Sequence, residues 1–336
     1  MKVPSLFSLL LLGGVVLLGG CRKDLCYDHD LHGLNVRVLL RPEWECEWER
    51  DYGRAWEENW PAEHGMTYAS LRPAAATGIV SFVYHEDGSR TERHLPGEGG
   101  LLPMSEGEKS ILFYNDDTRY IVFDGLNSWA TASASTRTRS RSTYSEDHAG
   151  EKTVNAPDML YGTWIDRYMA VPTSEPSPMA VTLRPLVYTY LIRYEFERGL
   201  EHVALARGAL SGMAESVYLQ DGHTGEETAT ILFECELKSY GVEVRLASFG
   251  VPGFPGDHYV QRDGQRQMLN LEVMMKNGKL KEFEFDVTGQ LSAQPRGGVI
   301  TVGGLEVTDE EAGNESGFDV DVDGWGRYED IELPLG

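Results

Sequence analysis

Beyond Leu34 the chain is cut into short stretches of alternating apolar and polar residues by clusters of Gly, Pro, Asn and Asp. That rhythm points to β-structure throughout, because alternation with period two places every second side chain on one face of a strand. In the first half, strands are expected over Leu34–Leu40, Met66–Leu71, Gly78–Tyr84, Arg90–Leu95, Ser110–Tyr114 and Tyr120–Phe123, with turns at Glu86-Asp87-Gly88-Ser89, Pro96-Gly97 and Asn115-Asp116-Asp117. The run Leu186–Phe196, LVYTYLIRYEF, is nearly continuous β-branched and aromatic sequence and reads as a long central strand. Further strands follow at Ser216–Leu219, Thr228–Cys235, Val242–Phe249, Gln267–Lys276, Leu280–Val287 and Gly298–Val302, and Asn277-Gly278 is a two-residue hairpin signal. Strands of this length and spacing build sandwiches or barrels.

A chain of 336 residues exceeds one ordinary core. PTSEPSP at Pro172–Pro178 reads as the linker, giving domains over 33–170 and 171–336, the second opening with Ala180–Pro185. The Ser/Thr run Thr131–Ser145, carrying Arg137, Arg139 and Arg141, reads as an exposed loop, with cleavage by an Arg-directed protease as the sharper alternative.

The chain begins MKVPSLFSLLLLGGVVLLGGC. Lys2, the apolar run Leu6–Leu18 and the small residues before Cys21 have the layout of a lipoprotein signal, removed at residue 20 so that a lipidated Cys21 begins the mature protein. Residues 21–32 then form a polar tether. The net charge is −23, and losing Lys2 makes it one more negative. Such a surface repels nucleic acid and anionic headgroups, so membrane attachment falls to the lipid. Cys26, Cys46 and Cys235 are too few for a disulfide framework, although a Cys26–Cys46 bridge is compatible with an oxidising compartment.

The chain carries no G-x-S-x-G, H-E-x-x-H, C-x-x-C, phosphate-loop or dinucleotide fingerprint, and a non-enzymatic role without cofactor is expected. Trp44, Trp48, Tyr52, Trp56 and Trp60 recur every fourth residue. They read as a packed loop or short helix, with Trp44, Trp48, Trp56 and Trp60 as an aromatic ligand surface in the alternative. Asp28, His29, Asp30 and His32 read as solvated tether. Near the C-terminus Asp319, Asp321, Asp323, Gly324 and Asp330 match positions 1, 3, 5, 6 and 12 of a calcium loop. The same residues alternate with Phe318, Val320 and Val322, a strand turning at Asp323-Gly324. The strand is the reading adopted, and no metal is expected.

The lipobox cysteine and acidic tether, PDMLYG, LRPLVYTYLIRYEFE, ALSGMAESVYLQDG, PRGGVITVGGLEV and FDVDVDGWGRYEDIELPL together resemble the fimbrillin-associated lipoproteins of Bacteroidetes, the FimB/Mfa-like anchor proteins, and an allied domain family of unknown function. The resemblance implies an all-β chain of two tandem transthyretin-like β-sandwich domains, held at the outer membrane by lipid on Cys21. It implies an anchor or accessory subunit of a surface fimbria, with a fimbrial subunit as partner and no catalytic residues. Strand addition uses backbone hydrogen bonds for affinity and alternating side chains for register. Phe318, Val320, Val322 and Trp325 in the C-terminal tail have the required alternation. A surface glycan-binding lipoprotein and a fimbrial tip adhesin are the rival readings.

Overall fold

The computed structural model describes residues 36–50, 53–140, 150–255, 266–313 and 329–330. They form a nearly all-β chain, as the alternation requires. In order the strands are β1 (Val36–Trp44), β2 (Gly78–His85), β3 (Arg90–Pro96), β4 (Gly100–Met104), β5 (Gly107–Tyr114), β6 (Ile121–Asp124), β7 (Ser133–Thr136), β8 (Arg139–Ser140), β9 (Thr153–Val154) and β10 (Tyr161–Ala170). Then come β11 (Ser177–Pro185), β12 (Tyr188–Arg198), β13 (Val203–Ala214), β14 (Ser216–Tyr218), β15 (Thr228–Lys238), β16 (Gly241–Ser248), β17 (Met268–Met275), β18 (Leu280–Asp286), β19 (Gly298–Glu306) and β20 (Glu329–Asp330). Two short helices, α1 (Thr288–Ser292) and α2 (Asp309–Ala312), flank β19.

The first sheet has the order β3-β2-β5-β10-β11-β1-β4. Its inner face holds Val38, Leu40, Ile79, Val83, Ile111, Phe113, Tyr161 and Leu183 in one buried cluster. β2 is buried on both faces: Ile79 and Val83 enter that cluster, while Val80 and Phe82 enter a second one with Leu112 and Tyr114. This accounts for its mostly apolar sequence, GIVSFVYH.

The second sheet has the order β18-β17-β13-β15-β16-β12-β19, with β9 paired beside β15. β12 lies between β16, antiparallel, and β19, parallel. Tyr190, Ile192 and Tyr194 on β12 share a core with Leu210, Ile231, Leu246, Leu269, Leu271 and Ile300. The buried tyrosine hydroxyls are satisfied, Tyr190 donating to the Gln294 carbonyl at 2.9 Å and Tyr194 to that of Asn270 at 3.2 Å. Without those acceptors each hydroxyl would lose its hydration uncompensated. A small sheet, β14-β7-β6, joins the two halves, since β6 and β7 precede β12 in the chain and β14 follows it. The core beneath it takes residues from both, among them Phe82, Tyr114, Ala134, Leu186, Val217 and Phe249.

Three expectations are corrected. Met66–Leu71 is no strand: Tyr68–Leu71 is a 3-10 turn, whose three-residue period brings Tyr68 and Leu71 down on one side. Within the expected Ser/Thr loop, Ala132, Ala134 and Thr136 are buried and β7 pairs with both β6 and β14, because small side chains fit the narrow gap between the halves; residues 141–149 lie outside the described residues. Ala180–Pro185 does not open the second half. It lies in β11, which pairs parallel with β1 and antiparallel with β10, so the proline-rich stretch joins two strands of the first sheet. The chain passes from the first sheet to the second at Leu186–Val187, whose side chains fill the joint core.

Candidate partner interface

Among the described residues the two large sheets have four end strands, each with a neighbouring strand on one side only, which is where another chain's strand can add. They are β3 and β4 in the first sheet and β18 and β19 in the second. β3 (RTERHLP) and β18 (LKEFEFD) carry charges along their length. β4 (GLLPM) is five residues long and contains Pro103, which lacks an amide hydrogen, while Leu101 on it is 47% exposed. β19 (GVITVGGLE) is uncharged up to its last residue.

The tryptophan row folds into a cap over the second sheet. Trp48 is 1% exposed and packs on Trp56, Trp60 and Tyr68 at ring-centroid distances of 5.8, 5.7 and 5.6 Å. Val299 of β19 packs against this group. Backbone bonds tie the cap down, Thr189 N–H to the Trp48 carbonyl at 3.2 Å and Arg50 N–H to that of Arg296 at 3.0 Å. Trp44 stands apart at the end of β1, edge-on to Tyr161 at 5.0 Å, its indole N–H donating to the Gly97 carbonyl at 3.0 Å. The four tryptophans therefore form no single stripe: the four-residue spacing runs through a folded loop, leaving Trp56 and Trp60 half-buried.

A buried polar group pins the cap's far end. Arg193 on β12 donates to His64 Nδ1 at 2.8 Å and stacks on Tyr240 at 4.2 Å, with Glu243 3.9 Å from its Nε. Burial, and then the Arg193 charge, hold the His64 imidazole below its usual range, so it stays neutral and accepts. Burial likewise raises Glu49, although its bond from the Tyr68 hydroxyl opposes the shift.

Where the two sheets meet, a cleft of about 370 Å³ is lined by Arg50, Trp164, Arg184, Tyr188, Gln220 and Arg296, among others. Glu45 lies 3.5 Å from Arg50 and 3.6 Å from Arg184 and answers part of their charge.

Cys21, Phe318, Asp319, Val320, Asp321, Val322, Asp323 and Trp325 lie outside the described residues. Asp330 lies in β20, which pairs antiparallel with β8, opposite Arg139. Cys46 is half-buried and its Sγ lies 3.5 Å from the Tyr161 hydroxyl; Cys26 lies outside the described residues. Among the described residues no three His, Cys, Asp or Glu side chains gather as a metal site, and no helix is long and apolar enough to cross a membrane. Sequence reading missed the polar network that pins the cap. The network around Arg193 leaves no local pattern, because His64 and Arg193 are 129 positions apart.

Comparison with known proteins adds to this. Residues 70–234 match the family described as Domain of unknown function (DUF5119). A protein of Bacteroides ovatus, "Putative fimbrium anchoring subunit Fim4B", is 21% identical, with 97% of each chain covered. A solved structure from Bacteroides ovatus, "a putative adhesin", shares the fold at a TM-score of 0.58 and 19% identity, covering 86% of this chain and 97% of its own. The fimbrial anchor protein Mfa2 of Porphyromonas gingivalis superposes at a TM-score of 0.42 and 11% identity, over 80% of this chain and 89% of its own. Over 97% of its length, then, the chain is similar to a "putative fimbrium anchoring subunit".

Proposed function

We propose that this protein is a non-catalytic subunit of a cell-surface fimbria, an anchor or accessory component held at the outer membrane by lipid on Cys21. The observation that carries the reading is the end-to-end match to a "putative fimbrium anchoring subunit", 21% identical over 97% of both chains. The fold supports it: two sheets locked by a joint core make a rigid base that can transmit load from a filament to a membrane. Engagement of the first filament subunit by strand addition, through the tail bearing Phe318, Val320, Val322 and Trp325, is the finer part of the proposal.

Deleting residues 318–336 tests that part. Fimbriae are expected in the culture medium, while the truncated protein keeps its β-rich circular dichroism. Fimbriae that stay attached to the cells at normal length would exclude the tail as the attachment point. The glycan-binding rival is less well served by the geometry, because Trp48 cannot stack on a sugar unless the cap opens.

A further inference from the structure

The four sheet ends are protected by different means. β3 and β18 carry charges, and β4 is short and holds a proline, all of them ways to discourage pairing with another chain. β19 has none of these. From Gly297 to Leu305 no residue is charged, and Val299, Ile300, Thr301 and Val302 are all β-branched. An uncharged, β-prone edge is the kind that templates association.

The backbone of β19 nevertheless has partners on its outer side. Gln290 on α1 is bonded twice to Thr301: its Oε1 accepts from Thr301 N–H and its Nε2 donates to the Thr301 carbonyl, both at 3.0 Å. Gln294, one helical turn on, repeats the pattern at Val299, accepting from N–H at 2.9 Å and donating to the carbonyl at 2.8 Å. A carboxamide carries the same donor and acceptor as a peptide group. Two of them, four residues apart on a helical turn, therefore meet Val299 and Thr301 as a neighbouring strand would. Gly298 makes room for this. A Cβ there would lie 2.3 Å from Gln294 Oε1. The turn itself is anchored, since Val287 and Leu291 are buried in the core of the second sheet.

We propose that Gln290 and Gln294 seal the β19 edge, and that the partner they exclude is the same edge of a second copy of this chain. Copies with a net charge of −23 repel one another over most of their surface, but not along this uncharged strand. Antiparallel pairing about a two-fold axis would set Val299 and Thr301 of each copy against the other and satisfy the same four backbone groups. A chain that must hold one end of a filament gains from an edge that cannot pair with itself, although the seal does not depend on that role.

Three forms of the full chain, purified side by side in the same detergent, test the proposal by sedimentation equilibrium. They are the wild type, Gln290→Ala with Gln294→Ala, and that double variant carrying also Thr301→Lys, which puts a charge on an exposed position of the edge. The double variant is expected to self-associate to twice the wild-type mass, with an association constant at least about tenfold higher. Thr301→Lys is expected to restore the wild-type mass. A folded double variant of wild-type mass would overturn the proposal, as would association that Thr301→Lys leaves unchanged. If the double variant does not fold, Gln290→Ala alone, at a half-buried position, carries the same comparison; a wild-type mass there would equally count against it.

Discussion

Glu272→Ala is expected to cost about 3–5 kcal/mol of stability, the effect of removing one member of a buried ion pair. Arg207 on β13 and Glu272 on β17 face each other in the strand register, and the Arg207 Nε and Nη2 lie 2.7 and 2.6 Å from Glu272 Oε2. Both side chains are buried, Glu272 to 2% exposure. The large cost comes from the guanidinium left behind, which would keep its burial and lose the carboxylate 2.6 Å from its Nη2. Replacing both residues by Met is expected to be far milder, because neither charge then needs compensation. Urea unfolding of the two variants checks this. A Glu272→Ala protein no less stable than the double replacement would contradict the argument.

Trp48→Ala is expected to have a comparable effect, about 3–5 kcal/mol, because it empties the centre of the cap. Its indole touches Trp56, Trp60 and Tyr68, and its backbone carbonyl accepts from Thr189 N–H on β12. The indole Nε1 is buried without a hydrogen-bond partner among the described residues. Trp48→Phe should therefore cost much less, since it keeps ring contacts and removes an unmet donor. Unfolding followed by circular dichroism separates the two. Equal destabilisation by Ala and Phe would show that the indole's particular shape, and not aromatic packing, holds the cap.

Much of this fold is legible in residue order where the strands are rich in β-branched and aromatic side chains. Most of the run Leu186–Phe196 lies in β12, paired on both sides by β16 and the end strand β19, and Asn277-Gly278 turns β17 into β18. The strands that escape notice do so for physical reasons. β13, VALARGALSGMA, is built largely of Ala and Gly, which have little strand preference but fit where β13 is flanked by β15 and β17. In β10 the register shifts between Ile165 and Tyr168, so its alternation breaks midway. β7 is hidden in a Ser/Thr run because only every second residue is buried and those are small. Of the site, the aromatic row is visible as spacing, but not its closure around Trp48, which depends on Tyr68 and Val299 from distant segments. Sheet membership of Ser177–Pro185 is likewise set by its pairing with β1, more than 130 positions earlier in the chain, which no local pattern records.

The proposed role requires that this protein hold a filament subunit. The most direct measurement is recovery of the tagged full-length protein from its own cells, after gentle cross-linking, with the bound polypeptides identified by mass spectrometry. A fimbrial subunit is expected among them, in roughly equimolar amount with the protein itself. Recovery of the protein from fimbriated cells with no fimbrial subunit attached would contradict the central claim.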